Sequence, residues 1–284
     1  MFYICATPIG NLSDISLRAL EKLAQADIIL CEDTRVSQKL LHAHGIINKR
    51  LVAVHEHNEN EMAPKIINWL ADGLTLVQIS DAGTPGISDP GARICQILYQ
   101  HQLTPHPLPG ACAYISLLSV SGINNIPSLF YGFLPAKRSQ RQKQLQQWQT
   151  VNYAVAIYES PHRIMSCLED IIICLGAERT LLMGRELTKQ FETIKKASAQ
   201  DLFEFIQSDS NQQRGEFVLL IFPAETVDHC TSLTSEQMQA LQLLATELAP
   251  KKAINLTHKL YGGDKDLMYE FLLKHGSKIS SEGA

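Results

Sequence analysis

The sequence predicts an α/β protein, because short apolar runs recur with amphipathic stretches between them and polar, glycine- and proline-rich clusters follow those runs. A third observation divides the chain, since after Pro223 only helical patterning remains. The apolar runs are Phe2 to Ala6, Ile28 to Cys31, Leu51 to Val54, Leu74 to Ile79 and Thr104 to Leu108. They alternate with Ser16 to Ala26, Met62 to Ala71 and Ala92 to Gln100, which reads as a parallel sheet with crossover helices. In the first helix Leu17, Leu20, Leu23 and Ala24 fall at helical spacing, with Ser13 or Asp14 ahead of them as a cap.

Residues Ser121 to Ser128 carry one Gly, two Asn and one Pro between an apolar helix and the next strand, and read as an interdomain connection. Strands at Leu129 to Leu134, Tyr153 to Tyr158, Thr180 to Gly184 and Glu216 to Phe222 build a second domain. Its helices lie at Arg138 to Gln149, Pro161 to Leu175 and Ala199 to Gln207. A helical tail follows, at Ser235 to Leu248, Lys251 to Leu260 and Lys265 to Lys274. The expected domains are 1–122, 129–224 and 231–284.

Composition sets limits on function. With 284 residues, 45% of them hydrophobic, the chain can bury substantial cores. No leader-like segment and no membrane-length apolar run is present, so a soluble, cytoplasmic protein is expected. The seven cysteines include no Cys-x-x-Cys pair and read as reduced core thiols. His42/His44 and His55/His57 lack a third convergent ligand, so no metal is expected. A net charge of −4 confines any nucleic-acid contact to a local patch.

Residues 80 to 91 carry three glycines, two prolines and two aspartates directly behind the Leu74 to Ile79 run. Such a turn either holds a small ligand beyond the carboxyl end of a strand or simply connects strand to helix. Similar clusters follow other strands: Thr7-Pro8-Ile9-Gly10-Asn11, Glu32-Asp33-Thr34-Arg35, Pro107 to Ala111 and Tyr158 to Arg163. Clusters on one edge suit a cleft between two α/β domains. The Glu32 run reads either as an acid and base beside a substrate or as a helix cap with an ion pair, and Arg185 to Lys189 carries the same ambiguity. No Gly-Lys-Ser/Thr ending and no Gly-x-Gly-x-x-Gly after the first strand are found, which disfavours the ordinary nucleotide folds.

In this order the clusters resemble the family of ribosomal RNA small subunit methyltransferase I, within the tetrapyrrole methylase superfamily. The matching segments are Thr7 to Leu12, Glu32 to Arg35, His55-Glu56, Ser80 to Pro85, Ser88 to Gly91 and Pro107 to Gly110. Further matches are Gly132 to Pro135, Glu159 to Arg163, Arg185 to Lys189 and Gly215-Glu216. Gln78, Gly86 and Ala197 depart from the pattern. The resemblance implies two α/β domains with S-adenosylmethionine in the cleft between them, a homodimer, and 2′-O-methylation of a cytidine in 16S rRNA, on naked RNA or the 30S subunit.

By resemblance and position, Ser80, Asp81, Ala82, Gly83, Thr84, Pro85, Ser88, Pro109, Gly110 and Ala111 are expected to cradle the cofactor, with Thr7, Pro8, Ile9 and Gly10 on the opposite wall. Glu32, Asp33, Glu186 and Lys189 are candidate proton acceptors, Glu32 or Asp33 being favoured. Arg35, Arg163 and Arg185 are expected to position phosphates. The expected RNA patch is Lys137, Arg138, Arg141 and Lys143, joined by Lys251, Lys252 and Lys259 of a helix-turn-helix-like tail. Two rivals remain at this level: a methyltransferase acting on a tetrapyrrole carbon, and a non-catalytic RNA-binding or assembly protein.

Overall fold

The computed structural model describes residues 1–55, 57–224 and 233–275, and the chain divides into two compact units, 1–224 and 225–284. Glu56, Cys230 and the expected domain start at residue 231 lie outside the described residues. The first unit holds two five-stranded sheets.

In the first sheet, β1 (Phe2–Cys5), β2 (Ile28–Cys31), β3 (Arg50–Ala53), β4 (Leu76–Ile79) and β5 (Pro105–Leu108) run parallel in the order β3-β2-β4-β1-β5. The registers Cys5↔Ile79, Cys5↔Leu108, Leu30↔Gln78 and Cys31↔Ala53 bring all five strands to an end at one edge. Both faces are covered, as parallel sheets require. Ala19 and Leu23 of α1 (Leu17–Gln25) and Leu41 of α2 (Thr34–Ala43) pack on Ile29, Cys31 and Ile79. Ile66 of α3 (Glu59–Ala71) and Ile94 and Leu98 of α4 (Ala92–Gln100) pack on Phe2, Leu30 and Leu76. Burial pushes the Cys5 thiol up to about 12, and no cysteine among the described residues is paired.

Helix α5 (Ala113–Ser119) leads into the second sheet, which is mixed. Here β6 (Ser128–Phe133) and β7 (Ala154–Glu159) are parallel, while β10 (Phe217–Ile221) lies antiparallel to β7 and to β8 (Thr180–Arg185), which pairs with β9 (Thr193–Ser198). Strand β9 is absent from the sequence reading because Thr-Ile-Lys-Lys-Ala-Ser is an edge strand, its lysines guarding the open backbone. One face of this sheet packs on α6 (Arg138–Gln146), α7 (Ile164–Leu175) and α8 (Ala199–Ser208). The other buries Ala154, Ala156, Leu182 and Val218 against Leu117 of α5. In the second unit, α9 (Ser235–Glu247), α10 (Pro250–Tyr261) and α11 (Lys265–His275) share a core of Leu241, Ala253, Ile254, Met268 and Leu272. Thr234 and Gln237 form a reciprocal capping box at its start. No helix among the described residues is long and apolar enough to cross a membrane.

Two arginines expected at an RNA surface are internal, which corrects that assignment. Arg141 is buried, and its Nε donates to Asp170 at 2.8 Å, beside Arg138 Nε at 2.9 Å and Gln142 Nε2 at 2.7 Å. Burial alone would raise the Asp170 carboxyl, but the three donors hold it below the ordinary range. Arg185, also buried, donates to the carbonyls of Arg214 at 2.7 Å, Phe191 at 3.0 Å and Asn211 at 2.7 Å, fastening the end of β8 to two loops. Neither guanidinium faces solvent, so neither is free to meet a phosphate.

Asp170→Ala is expected to cost about 3–5 kcal/mol, because it strands a buried cation. Denaturant midpoints check this, and adding Arg141→Met to Asp170→Ala should recover part of the loss.

Candidate functional site

A cavity of about 430 Å³ opens where the strand-end loops of the two sheets meet. The first sheet contributes Ile9 after β1, Glu32 after β2, the loop from Asp81 to Asp89 after β4, and Cys112 and Ala113 after β5. The second contributes Phe133, Tyr158 to Pro161, Gly184, Leu187 and Glu216 to Val218.

Of the expected cofactor residues, Ile9, Asp81, Ala82, Gly83, Thr84 and Ser88 line this cavity. Others hold its walls in place. Thr7 is buried, and its Oγ1 donates to the Ser80 carbonyl at 2.9 Å. The Thr7 and Gly83 backbones exchange hydrogen bonds at 2.8 and 3.0 Å, pinning the post-β1 loop to the post-β4 loop. Thr84 Oγ1 donates to the Ala111 carbonyl at 2.9 Å, adding the post-β5 loop. Gly110 lets that loop pass Ala6, whose methyl lies 2.8 Å from where a Cβ would stand. Pro8, Gly10, Pro85 and Pro109 are outside the lining, Gly10 lying against Thr188 and Lys189. Gly86 departs from the family pattern and sits at φ +84°, a conformation that explains glycine at that position.

The electrostatics are one-signed. Glu32, Asp81, Asp89, Glu159 and Glu216 line the cavity, and no lysine or arginine does. Burial, then the neighbouring Asp81 charge, raises the Glu32 carboxyl, and its Oε1 is buried without a hydrogen-bond partner. Asp89 is pushed up to about 7, first by burial and then by the charge of Glu32. Glu159 is tied down by the Ser160 amide at 2.8 Å and by Arg163 at 3.2 Å.

The other expected acid-base residues are engaged. Asp33 caps α2, accepts from Arg35 Nη2 at 2.6 Å, and is held at about 2 chiefly by that bond. Lys189 Nζ bridges Glu186 and Glu216, each at 2.9 Å. Burial opposes the charge of both Glu186 and Lys189, but their mutual bond outweighs it, keeping the carboxylate low and the ammonium high. A protonated Lys189 accepts no proton. The structure also redirects Arg163, whose Nη2 donates to the carbonyls of Leu134 at 2.8 Å and Pro135 at 3.3 Å. Lys137, Arg138, Lys143 and Arg35 remain exposed, as do Lys251, Lys252 and Lys259 of the separate helical unit.

Sequence reasoning assigned no role to Asp89, Phe133, Tyr158, Leu187 and Glu216 of this lining. Asp89 directly follows Ser88 in the same loop, and Phe133 and Glu216 fall inside segments that carried the family resemblance.

Comparison with known proteins agrees with this architecture. Residues 1–202 match the family model of Tetrapyrrole (Corrin/Porphyrin) Methylases. The chain is 42% identical over 276 residues to "Ribosomal RNA small subunit methyltransferase I" of Neisseria meningitidis serogroup A, covering 97% of this chain and 94% of that one. The protein of the same name from Haemophilus influenzae is 42% identical over 278 residues, covering 98% of each. Among solved structures, cobalt precorrin-4 methyltransferase CbiF superimposes with a TM-score of 0.56 at 17% identity, covering 77% of this chain and 93% of that one. Diphthine synthase superimposes with a TM-score of 0.58 at 13% identity, covering 94% and 98%. These two structures share the fold. Sequence identity of about two in five residues over nearly the whole length goes further: the chain belongs to the family of ribosomal RNA small subunit methyltransferase I, within the tetrapyrrole methylases.

Proposed function

We propose that this chain transfers a methyl group from S-adenosylmethionine to the 2′-hydroxyl of a cytidine in 16S rRNA. The observation that carries the reading is the acid-lined cavity between two sheets, in a chain so close to proteins named for ribosomal RNA methylation. The residues fit the cofactor. Carboxylates with no lysine or arginine among them suit a sulfonium cation and repel a phosphate, while Ile9, Ile87, Leu187 and Val218 supply apolar surface. A solved relative by fold, uroporphyrin-III C-methyltransferase from Thermus thermophilus, is described in complex with S-adenosyl homocysteine. When bound, the cofactor supplies an electrophilic methyl group for in-line displacement.

The protein's part is alignment, exclusion of water and removal of one proton. The pinned loops after β1, β4 and β5 fix one wall of the cavity, as the alignment of in-line attack requires. Glu32 would take the proton that the attacking hydroxyl gives up. That carboxylate has a raised pKa and a free buried oxygen, whereas Asp33 is held acidic by Arg35. Exposed Lys137, Arg138, Lys143 and Arg35 engage RNA phosphates, with Lys251, Lys252 and Lys259 as further contacts. A homodimer acting in the cytoplasm, where its RNA is found, completes the proposal.

Incubating 30S subunits and naked small-subunit RNA separately with labelled cofactor, then mapping modified riboses, tests the substrate. One 2′-O-methylcytidine is expected, and no incorporation into either overturns the reading. Glu32→Gln should lower kcat about a hundredfold or more with cofactor affinity nearly unchanged, and Asp33→Asn much less.

Asp89 generates a pH prediction. As pH rises through about 7 it loses its proton and adds a negative charge to the cavity, so a cation should bind more tightly above that value. Calorimetry from pH 6 to 8 should show the affinity for S-adenosylmethionine, relative to neutral S-adenosylhomocysteine, rising about two- to tenfold. Asp89→Asn should flatten the ratio.

A further inference from the structure

We infer that Phe133 is the platform on which the base of the target nucleotide stacks, held at the mouth of the cavity by a β-bulge. This rests on the proposed RNA substrate and names how one of its nucleotides is gripped.

The register of β6 on β7 carries the argument. Phe130 pairs with Ala156, but the next pairs are Gly132 with Ile157 and Phe133 with Tyr158, so Tyr131 is an inserted residue. Without the insertion, strict alternation would place Gly132 beside Tyr158 and turn Phe133 to the face that packs on α6 and α7. With it, Phe133 joins Phe130 and Tyr158 on the cavity face. Re-aiming a side chain beside a site is a recurrent use of bulges. Gly132 makes this one possible, at φ +83° and with Ser88 Oγ 2.9 Å from where a Cβ would stand.

The ring so delivered is not consumed by packing. Phe133 is 52% exposed although it lines the cavity, while its inner edge rests on Tyr158 in a T-shaped contact at 5.8 Å. Tyr158 is braced by Phe130 at 4.9 Å and donates no freedom of its own, its hydroxyl accepting from the Tyr114 amide at 3.2 Å. Behind Phe133, Arg163 grips the carbonyls of Leu134 and Pro135 and fixes the strand's exit. An exposed aromatic face on a braced support is what a single-stranded base stacks on. The exposed cations Lys137 and Arg138 follow within five residues, where the phosphate backbone of the same strand would run. Their position favours an RNA base over the adenine of the cofactor as the occupant.

The test uses the full-length protein with Phe133→Leu and Phe133→Trp, naked small-subunit RNA and 30S subunits as substrates, and S-adenosylmethionine affinity measured apart by calorimetry. Phe133→Leu should weaken apparent RNA affinity or kcat/KM by about five- to a hundredfold, the range that loss of one base–aromatic stack allows, with cofactor affinity within twofold. Phe133→Trp should restore activity, and its indole fluorescence should be quenched on adding RNA but not on adding cofactor alone. Equal kinetics for Phe133→Leu and the unaltered protein, or a parallel loss of cofactor affinity, overturns the assignment. Methylation of neither substrate by the unaltered protein overturns the functional reading and this one with it.

Discussion

The cavity depends on negative charge at Glu32, Asp81 and Asp89, which no lysine or arginine among the described residues pairs, unlike Glu159 and Glu216. Glu32 and Asp89 are half-withdrawn from water; the Asp81 charge further raises the proton affinity of Glu32, and the charges of Glu32 and Asp81 that of Asp89. Such an arrangement destabilises the fold and persists only where packing elsewhere over-determines the loops that carry it. Here the carriers are strand-to-helix connections that follow fully buried strands, Ile28–Cys31 and Leu76–Ile79. The two sheet cores supply the rigidity, and an incoming cation relieves the repulsion.

That rigidity reaches the cavity through few contacts. The Thr7 and Gly83 backbone pair, the Thr7 hydroxyl and the Thr84 hydroxyl link three crossings of the first sheet. On the opposite wall Arg163 and Arg185 hold loop carbonyls, so two guanidinium groups that look in sequence like anion-binding groups serve as backbone fasteners. A guanidinium forms a planar fork that satisfies several carbonyls at once, which is why arginine rather than lysine occupies both places. Lys137 and Arg138 stay exposed outside the cavity lining, Arg138 tied to Asp170, and no lysine or arginine among the described residues lines the acidic interior.

Much of this was legible in the residues themselves. Ile28 to Cys31 and Ala92 to Gln100 were bounded to the residue, since apolar periodicity and clear breakers coincide there. The strand-end clusters lie together at one edge of the sheet because parallel strands end together. What escaped had physical reasons. Helix α2 starts at the Asp33 cap, one of the two readings of the Glu32 cluster, but its run through Leu40-Leu41 to Ala43 is absent from the sequence reading because the charges at its start draw attention from that stripe. Edge strand β9 has no apolar alternation to detect. The burial of Arg141 follows from Asp170 lying 29 residues away on another helix, a partner no local pattern reveals. The bulge at Tyr131 shifts register by one, and only the pairing with β7 shows it.

The order of the first sheet has a consequence for synthesis. Strand β1 is made first, yet it lies between β4 and β5, and so waits for Leu108 before both its edges are paired. At about 5–20 residues per second that is roughly 5–20 seconds of translation, plus the time for the chain to clear the exit tunnel. Both edges of the Phe2–Cys5 segment are open until β4 is complete at Ile79, and one edge stays open until Leu108. Its brevity, four residues followed by Ala-Thr-Pro, limits how well it can template a foreign strand while it waits.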